Sequence, residues 1–356
     1  MNRREALFSI AGGLFTSALT TQKRVLGSEK NKITKLGIAN FSYNIRLKAE
    51  RSGQAKGQLK DPLNFLEHCH QIGAGGIQMN IGIRDEAYTR KLRLNAEKYE
   101  MFVEGSASLP RNQSDLGRFQ KELLTAKQAG VRVIRLAMGG RRYEQFDKAA
   151  QFKAFTESSL KSLQLGEPVA ARHNIRLAVE NHKDRRVPEM LDMLENISSE
   201  YVGVCVDTGN SFALMEDPMD VIEAYAPWAF FVHLKDMAVC DYQDGFLLAD
   251  VLLGEGSLDL PRMVEILRKV QPEIRFSLEM ATRDPLKVPC LTEKYWATLE
   301  NVPGMDLART LRYVRANATA EKSLPHVSHL PPAEQLKLEE QNIKKCLAYA
   351  RDHLSL

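Results

Sequence analysis

Four apolar runs in the later half of the chain each close on a group that binds cations. They are Ile175-Arg176-Leu177-Ala178-Val179-Glu180, Val202-Gly203-Val204-Cys205-Val206-Asp207, Phe230-Phe231-Val232-His233 and Arg275-Phe276-Ser277-Leu278-Glu279. Taken singly, a carboxylate after a strand serves as a helix cap or a loop residue, and a lone histidine there is usually structural. Brought to one place, three carboxylates repel one another unless a cation sits among them. One imidazole nitrogen with three carboxylate oxygens suits one divalent ion: Mn²⁺, Mg²⁺ or Co²⁺, with Zn²⁺ also allowed. The intervals are about 27 residues for the first two and about 46 for the last, the length of successive strand–helix units.

The elements that must position these groups follow from hydrophobic pattern. Short β-branched runs at 35–40, 76–80, 101–106, 131–137, 175–180, 202–207, 230–234 and 275–279 read as strands. Amphipathic stretches between them, such as 61–72, 115–129, 152–173, 188–197, 219–225 and 260–270, read as helices. Strands that are apolar along their whole length, with helices between, argue for a parallel sheet covered on both faces. Eight such units predict an α/β fold, a closed (β/α)8 TIM barrel, whose strand C-termini meet at one rim. An open doubly wound sheet is the structural alternative, weakened by the lack of a Gly-x-Gly-x-x-Gly turn after the first strand. If the pleat persists past the strands, His182 and Lys235 point into the same mouth as Glu180 and His233 and become substrate contacts or partners of rim carboxylates. Arg283, beyond the last strand, is a weaker substrate contact.

Outside the barrel, the chain opens Met1-Asn2-Arg3-Arg4-Glu5-Ala6 and continues into an apolar run over 6–18. That run is too short to span a membrane and fits the apolar part of an export signal, with the adjacent arginines resembling a twin-arginine type. The expected organisation is a signal over 1–27, the barrel over 28–318, and a linker with a C-terminal helix over 319–356. The expected location is periplasmic or otherwise extracytoplasmic, with no membrane association after signal removal. The formal net charge of +4 falls to about +1 without the first 27 residues, so no global field favours nucleic acid. Arg141-Arg142 and Arg185-Arg186 are short and read as solvated faces or isolated substrate contacts. Five widely spread cysteines with no Cys-x-x-Cys pair suggest neither a disulfide framework nor a thiolate zinc site. His68-Cys69-His70 lies in a helical run, where neighbours face different directions.

The ordered motifs Val179-Glu180-Asn181-His182, Val206-Asp207-Thr208-Gly209-Asn210, Val232-His233-Leu234-Lys235-Asp236, Gly254-Glu255-Gly256-Ser257-Leu258-Asp259 and Leu278-Glu279 resemble the sugar phosphate isomerase/epimerase family, the xylose isomerase-like TIM barrels. The resemblance covers roughly residues 34 to 315. It implies one divalent metal on Glu180, Asp207, His233 and Glu279, with Glu180 and Glu279 also serving as acid and base. The implied reaction is removal of a proton from the carbon next to a carbonyl, with the metal as Lewis acid. The implied partner is a small carbohydrate, free or derivatised since an exported enzyme meets few phosphorylated sugars; a homo-oligomer stays open.

One departure stands out. Family epimerases commonly carry a His three residues after the sixth-strand Asp, where this chain has Asn210, a hydrogen-bonding substrate contact that cannot transfer protons at neutral pH. Three other readings compete. A metal-dependent lyase or dehydratase on a keto-sugar, keto-glycoside or inosose shares the first step. An endonuclease-IV-like nuclease needs extra histidines that Met79-Asn80, Gly105-Ser106 and Asn210 do not supply. A non-catalytic carbohydrate-binding barrel needs no acid/base pair.

Overall fold

The computed structural model describes residues 33–356, so the signal expected over 1–27 lies outside the described residues. Seven strands follow one another around a ring: β1 (Gly37–Ala39), β2 (Gly76–Met79), β3 (Phe102–Ala107), β4 (Val133–Leu136), β5 (Arg176–Glu180), β6 (Val202–Asp207) and β7 (Ala229–Leu234). The chain then makes a hairpin, β8 (Asp236–Tyr242) and β9 (Gly245–Val251), before β10 (Phe276–Leu278) enters between β7 and β1 and closes the parallel barrel. A last strand, β11 (Leu286–Val288), pairs antiparallel with β9 to give a three-stranded sheet beyond the strand ends. The stretch after the eighth barrel strand thus contributes a strand, and the hairpin before that barrel strand was not anticipated.

The helices are α1 (Asn44–Arg51), α2 (Pro62–Gln71), α3 (Glu86–Lys98), α4 (Leu116–Gln128), α5 (Arg142–Gln145) and α6 (Ala149–His173) in the first half. The second half supplies α7 (Val187–Ile197), α8 (Pro218–Tyr225), α9 (Leu260–Val270), α10 (Glu293–Trp296), α11 (Gly304–Asn317) and α12 (Pro332–His353). Several start where the sequence dictates. Asp61, Asp217 and Asp259 accept hydrogen bonds from backbone N–H groups of the first turns of α2, α8 and α9, each followed by a proline in the first turn, where a missing N–H costs nothing.

Strand alternation divides the barrel into two environments. Outward positions, including Ile38, Ile77, Val103, Ile134, Leu177, Val179, Val204, Val206, Val232 and Leu278, join the helices in one apolar core. Inward positions near the floor hold Phe102, Val133, Ala178, Cys205 and Phe231. Phe102 fits there because Gly37 and Gly76 face it across neighbouring strands: a Cβ on either would stand 2.4 Å from its ring. Also inward, buried Glu104 accepts the Val133 N–H at 2.7 Å and the Arg132 N–H at 3.2 Å and pairs with Arg275, so a charge inside the barrel has its partners.

Among the described residues no helix is long and apolar enough to cross a membrane. The C-terminal helix α12 packs on the barrel's own exterior. Buried Glu339 accepts the Ile45 and Arg46 N–H groups at 2.6 and 2.9 Å, capping α1, and Glu340 accepts the Tyr43 hydroxyl at 3.0 Å. One arginine of each pair is not on a solvated face: Arg142 is 3% and Arg185 1% exposed. Arg142 ties Glu189 at 2.8 Å and Arg185 ties Asp184 at 2.7 Å. His68 meets Tyr43 at 2.7 Å, Cys69 is buried and His70 stacks on Tyr99, so the three diverge.

One exterior carboxylate makes stability pH-dependent. Glu216 lines a hollow of about 520 Å³ beside α8 and α11, and burial pushes its carboxyl up to about 7 despite the Val187 N–H it accepts. A raised carboxyl pKa favours the folded state below the unfolded value and is a growing penalty as pH climbs towards 7, reaching about 3 kcal/mol. Glu216→Gln keeps the acceptor for Val187 and removes the titration. Its melting temperature should exceed wild type by roughly 5 °C at pH 8 and match it near pH 5. An equal offset at both pH values, read by calorimetry, refutes this.

Candidate metal and proton-transfer site

The last inward residue of β5 is Glu180, that of β6 is Asp207, and His233 lies inward on β7; Glu279 directly follows β10. Register places Asp207 opposite His233 and His233 opposite Ser277, two residues before Glu279. Four side chains from distant segments therefore meet at the C-terminal rim, as a closed parallel barrel requires. One ligand atom from each lies within 4.8 Å of all the others, and all four residues are buried. His233 Nδ1 stands 3.5 Å from Glu180 Oε1 and 3.4 Å from Glu279 Oε1 and has no hydrogen-bond partner. Its Nε2 lies 3.3 Å from Gln78 Oε1 on β2. A buried ring nitrogen left without a partner and aimed between two carboxylate oxygens fits a cation-binding donor set.

Asp207 is oriented by its neighbours. Oδ1 accepts the Gly209 and Asn210 N–H groups, both at 2.9 Å, and its own N–H donates to Asn181 Oδ1 at 2.6 Å. Burial pushes its carboxyl up to about 6, against the pull of Lys235.

The expectation that the three carboxylates depend on an external cation needs correction. The chain supplies two of its own. Arg135, inward on β4, pairs with Glu180, and Lys235 Nζ stands 2.8 Å from both Asp207 Oδ2 and Glu279 Oε2. Burial raises the Glu180 and Glu279 carboxyls, but Arg135 on the first and Lys235 on the second, with His233 beside both, hold them well below the usual carboxylate range. Lys235, considered as a substrate contact, is thus turned to the carboxylates. Asn210 donates to Glu180 Oε1 at 3.4 Å and accepts from the Lys183 ammonium. Arg283 donates to Asp250 Oδ2 at 3.0 and 2.8 Å.

Above the cluster lies a cavity of about 130 Å³ lined by Arg135, Arg141, His182, Lys183, Lys235, Glu279 and Arg283, together with Phe41 and Leu286. Larger hollows lie outside the barrel, where no comparable donor set converges among the described residues. Burial lowers His182 to about 4, which leaves it neutral near pH 7, with Nδ1 unpartnered. Burial, aided by Lys235, lowers Lys183 to about 8.

The motif after β9 has a positioning task. The Asp236 carboxylate accepts the Met237, Gly254, Gly256 and Leu258 N–H groups at 2.9 to 3.3 Å. A Cβ on Gly256 would stand 2.0 Å from Asp236 Oδ1, so only glycine lets that backbone wrap the carboxylate. This clamp secures the chain next to Lys235.

Arg135, Lys183 and Gln78 were not singled out from the sequence. A signal existed for two of them: Arg135 and Gln78 interrupt apolar strands at positions that alternation turns inward, where a polar group needs a reason.

The family model for xylose isomerase-like TIM barrels matches residues 66–301. The 3-oxo-isoapionate decarboxylase of Pectobacterium atrosepticum is 27% identical over 254 residues, 68% of this chain and 84% of that protein. Among solved structures, a D-psicose 3-epimerase crystallised in the presence of D-fructose superposes with a TM-score of 0.57 at 13% identity, covering 91% of this chain and 100% of the other. The 3-keto-D-glucoside 4-epimerase of E. coli superposes with a TM-score of 0.52 at 13% identity, covering 80% and 99%. At such identities the two structures report the shared fold. With its closed barrel and the family model spanning most of its length, this chain belongs to the xylose isomerase-like TIM barrel family.

Proposed function

We propose that the protein is a divalent-metal-dependent isomerase or epimerase that removes a proton next to a carbonyl of a sugar or sugar derivative. The observation that carries this is the convergence of Glu180, Asp207, His233 and Glu279 within 4.8 Å beneath a cavity at the barrel rim. These four residues would hold the ion. When bound, a divalent ion supplies Lewis acidity towards a carbonyl and its neighbouring hydroxyl. Relatives that process sugars, among them a decarboxylase of an oxo sugar acid, support a carbohydrate-type substrate. The arginine pair and apolar run at the start of the chain support export, and with it a substrate met outside the cytoplasm.

The chain's own groups account for the proton movement. Glu279 lines the cavity, and its Oε2 is taken by Lys235, which leaves Oε1 to receive a proton from carbon. Glu180 lies deeper, held ionised by Arg135 and steadied by Asn210, so it can act only as a second acceptor; the proton returned to carbon is the one Glu279 has taken up. Lys235 stabilises the ionised form of Glu279 before transfer and is close enough to compensate changes in its charge. Neutral His182 offers a hydrogen-bonding edge to a hydroxyl, and Phe41 and Leu286 border the opening.

The test is hydrogen exchange. Protein supplied with Mn²⁺ is incubated in D₂O with free ketoses, 3-keto-glycosides and their acids, and deuterium next to the carbonyl is read by mass spectrometry and NMR. Incorporation with formation of an epimer or isomer is expected. An unsaturated product, or turnover with no label at that carbon, overturns the assignment.

A further inference from the structure

Lys183 is, among the described residues at the barrel mouth, the ammonium that forms no salt bridge with a carboxylate. The other cations there are matched: Arg135 by Glu180, Lys235 by Asp207 and Glu279, Arg283 by Asp250 and Arg141 by Glu144. Lys183 Nζ donates instead to the side-chain carbonyl of Asn210, which carries no charge. The residue is 3% exposed and lines the cavity. Burying an ammonium with no carboxylate in contact costs free energy that one neutral acceptor does not return, so the position is not explained by folding.

Charge counting points to what completes it. Glu180, Asp207 and Glu279 are matched in number by Arg135, Lys235 and Lys183, although Lys183 touches none of the three, while Arg283 and Asp250 cancel. A divalent ion on the four donors then leaves the mouth near +2. An anionic group on the substrate restores the balance and gives Lys183 a charged acceptor. Its location follows from connectivity: Lys183 bonds Asn210, and Asn210 Nδ2 lies 3.4 Å from Glu180 Oε1. The anion therefore sits beside the reacting carbons and not at the far end of a sugar chain.

We propose that the substrate is a keto sugar acid, and that Lys183 binds its carboxylate next to the carbonyl, with Arg283 at the edge of the same cavity. This rests on the proton-transfer reading of the site and names its substrate class. A remote phosphate ester is the other anionic sugar, and connectivity disfavours it.

The probes are 2-keto-D-gluconate, D-fructose, which carries a hydroxymethyl group in place of that carboxylate, and D-fructose 6-phosphate. Calorimetric titration of the full chain with Mn²⁺ present should show the acid binding at least about tenfold more tightly than D-fructose, or about 1.4 kcal/mol, and more tightly than the phosphate. Lys183→Met should erase that preference. Without added ligand or metal, the variant should unfold at the wild-type temperature or above it, because an uncompensated buried charge is gone. Should Lys183→Met not fold, Lys183→Gln, which keeps a donor for Asn210, carries the same expectation. Equal binding of acid and ketose, tighter binding of the phosphate, no binding of the acid, or a preference that survives in the variants overturns the proposal. Deuterium exchange into D-fructose without acid preference sinks this proposal and leaves the proton-transfer reading standing. Acid preference lost in Lys183→Met, with no exchange into any sugar, does the reverse.

Discussion

Glu279→Gln lowers turnover by about a thousandfold and leaves the unfolding temperature close to wild type. The rate loss follows from removing the proton acceptor that faces the cavity, a role worth roughly 10²–10⁴ in rate. Stability survives because Lys235, which Glu279 accepts at 2.8 Å, keeps Asp207 at the same distance, and the glutamine carbonyl still accepts its proton. Glu180→Gln tests the same role with a different cost. Arg135, 22% exposed at its side chain, loses its carboxylate, so this variant should lose about 2 kcal/mol of stability together with its rate, at the lower end for breaking a buried pair because water reaches the guanidinium. Deuterium wash-in and thermal unfolding measured on both variants separate the effects. Retention of more than a tenth of wild-type exchange in Glu279→Gln removes it from the proton path.

Stripping the metal abolishes turnover but does not unfold the protein. Dialysis against EDTA, checked by elemental analysis, should bring activity to background, and Mn²⁺, Mg²⁺ or Co²⁺ should restore it. The stripped chain should remain folded, because Arg135 and Lys235 already offset the carboxylates. The metal's contribution to stability is then only its binding linkage, about 2.7 kcal/mol at a free concentration a hundredfold above Kd. Full activity in metal-free protein ends the metal assignment. Unfolding on chelation would show instead that the two side-chain cations do not balance the cluster.

Residue type and order alone were enough for the barrel and for the four converging donors. Apolar runs such as Val202–Asp207 need burial on both faces, and a run that closes on a charged group marks where burial ends, so strand ends announce the rim. Helix caps at Asp61, Asp217 and Asp259 are equally local, as is the start of the last helix at Pro332. The hairpin of β8 and β9 was not among the expected strands although its pairing is local, around a two-residue turn at Gln243-Asp244; the third strand, β11, joins it from about forty residues on. Arg142 was misplaced because composition marks arginine as a surface residue, while its burial depends on Glu189 arriving from elsewhere in the fold; Arg185 is buried with its chain neighbour Asp184. Above all, sequence order cannot say which charge meets which. That Arg135 takes Glu180, that Lys235 bridges Asp207 and Glu279, and that Lys183 is left with only an amide depend on distances across the ring of strands. Electrostatic partnership is a property of proximity, and proximity between segments far apart in the chain exists only once the barrel has closed.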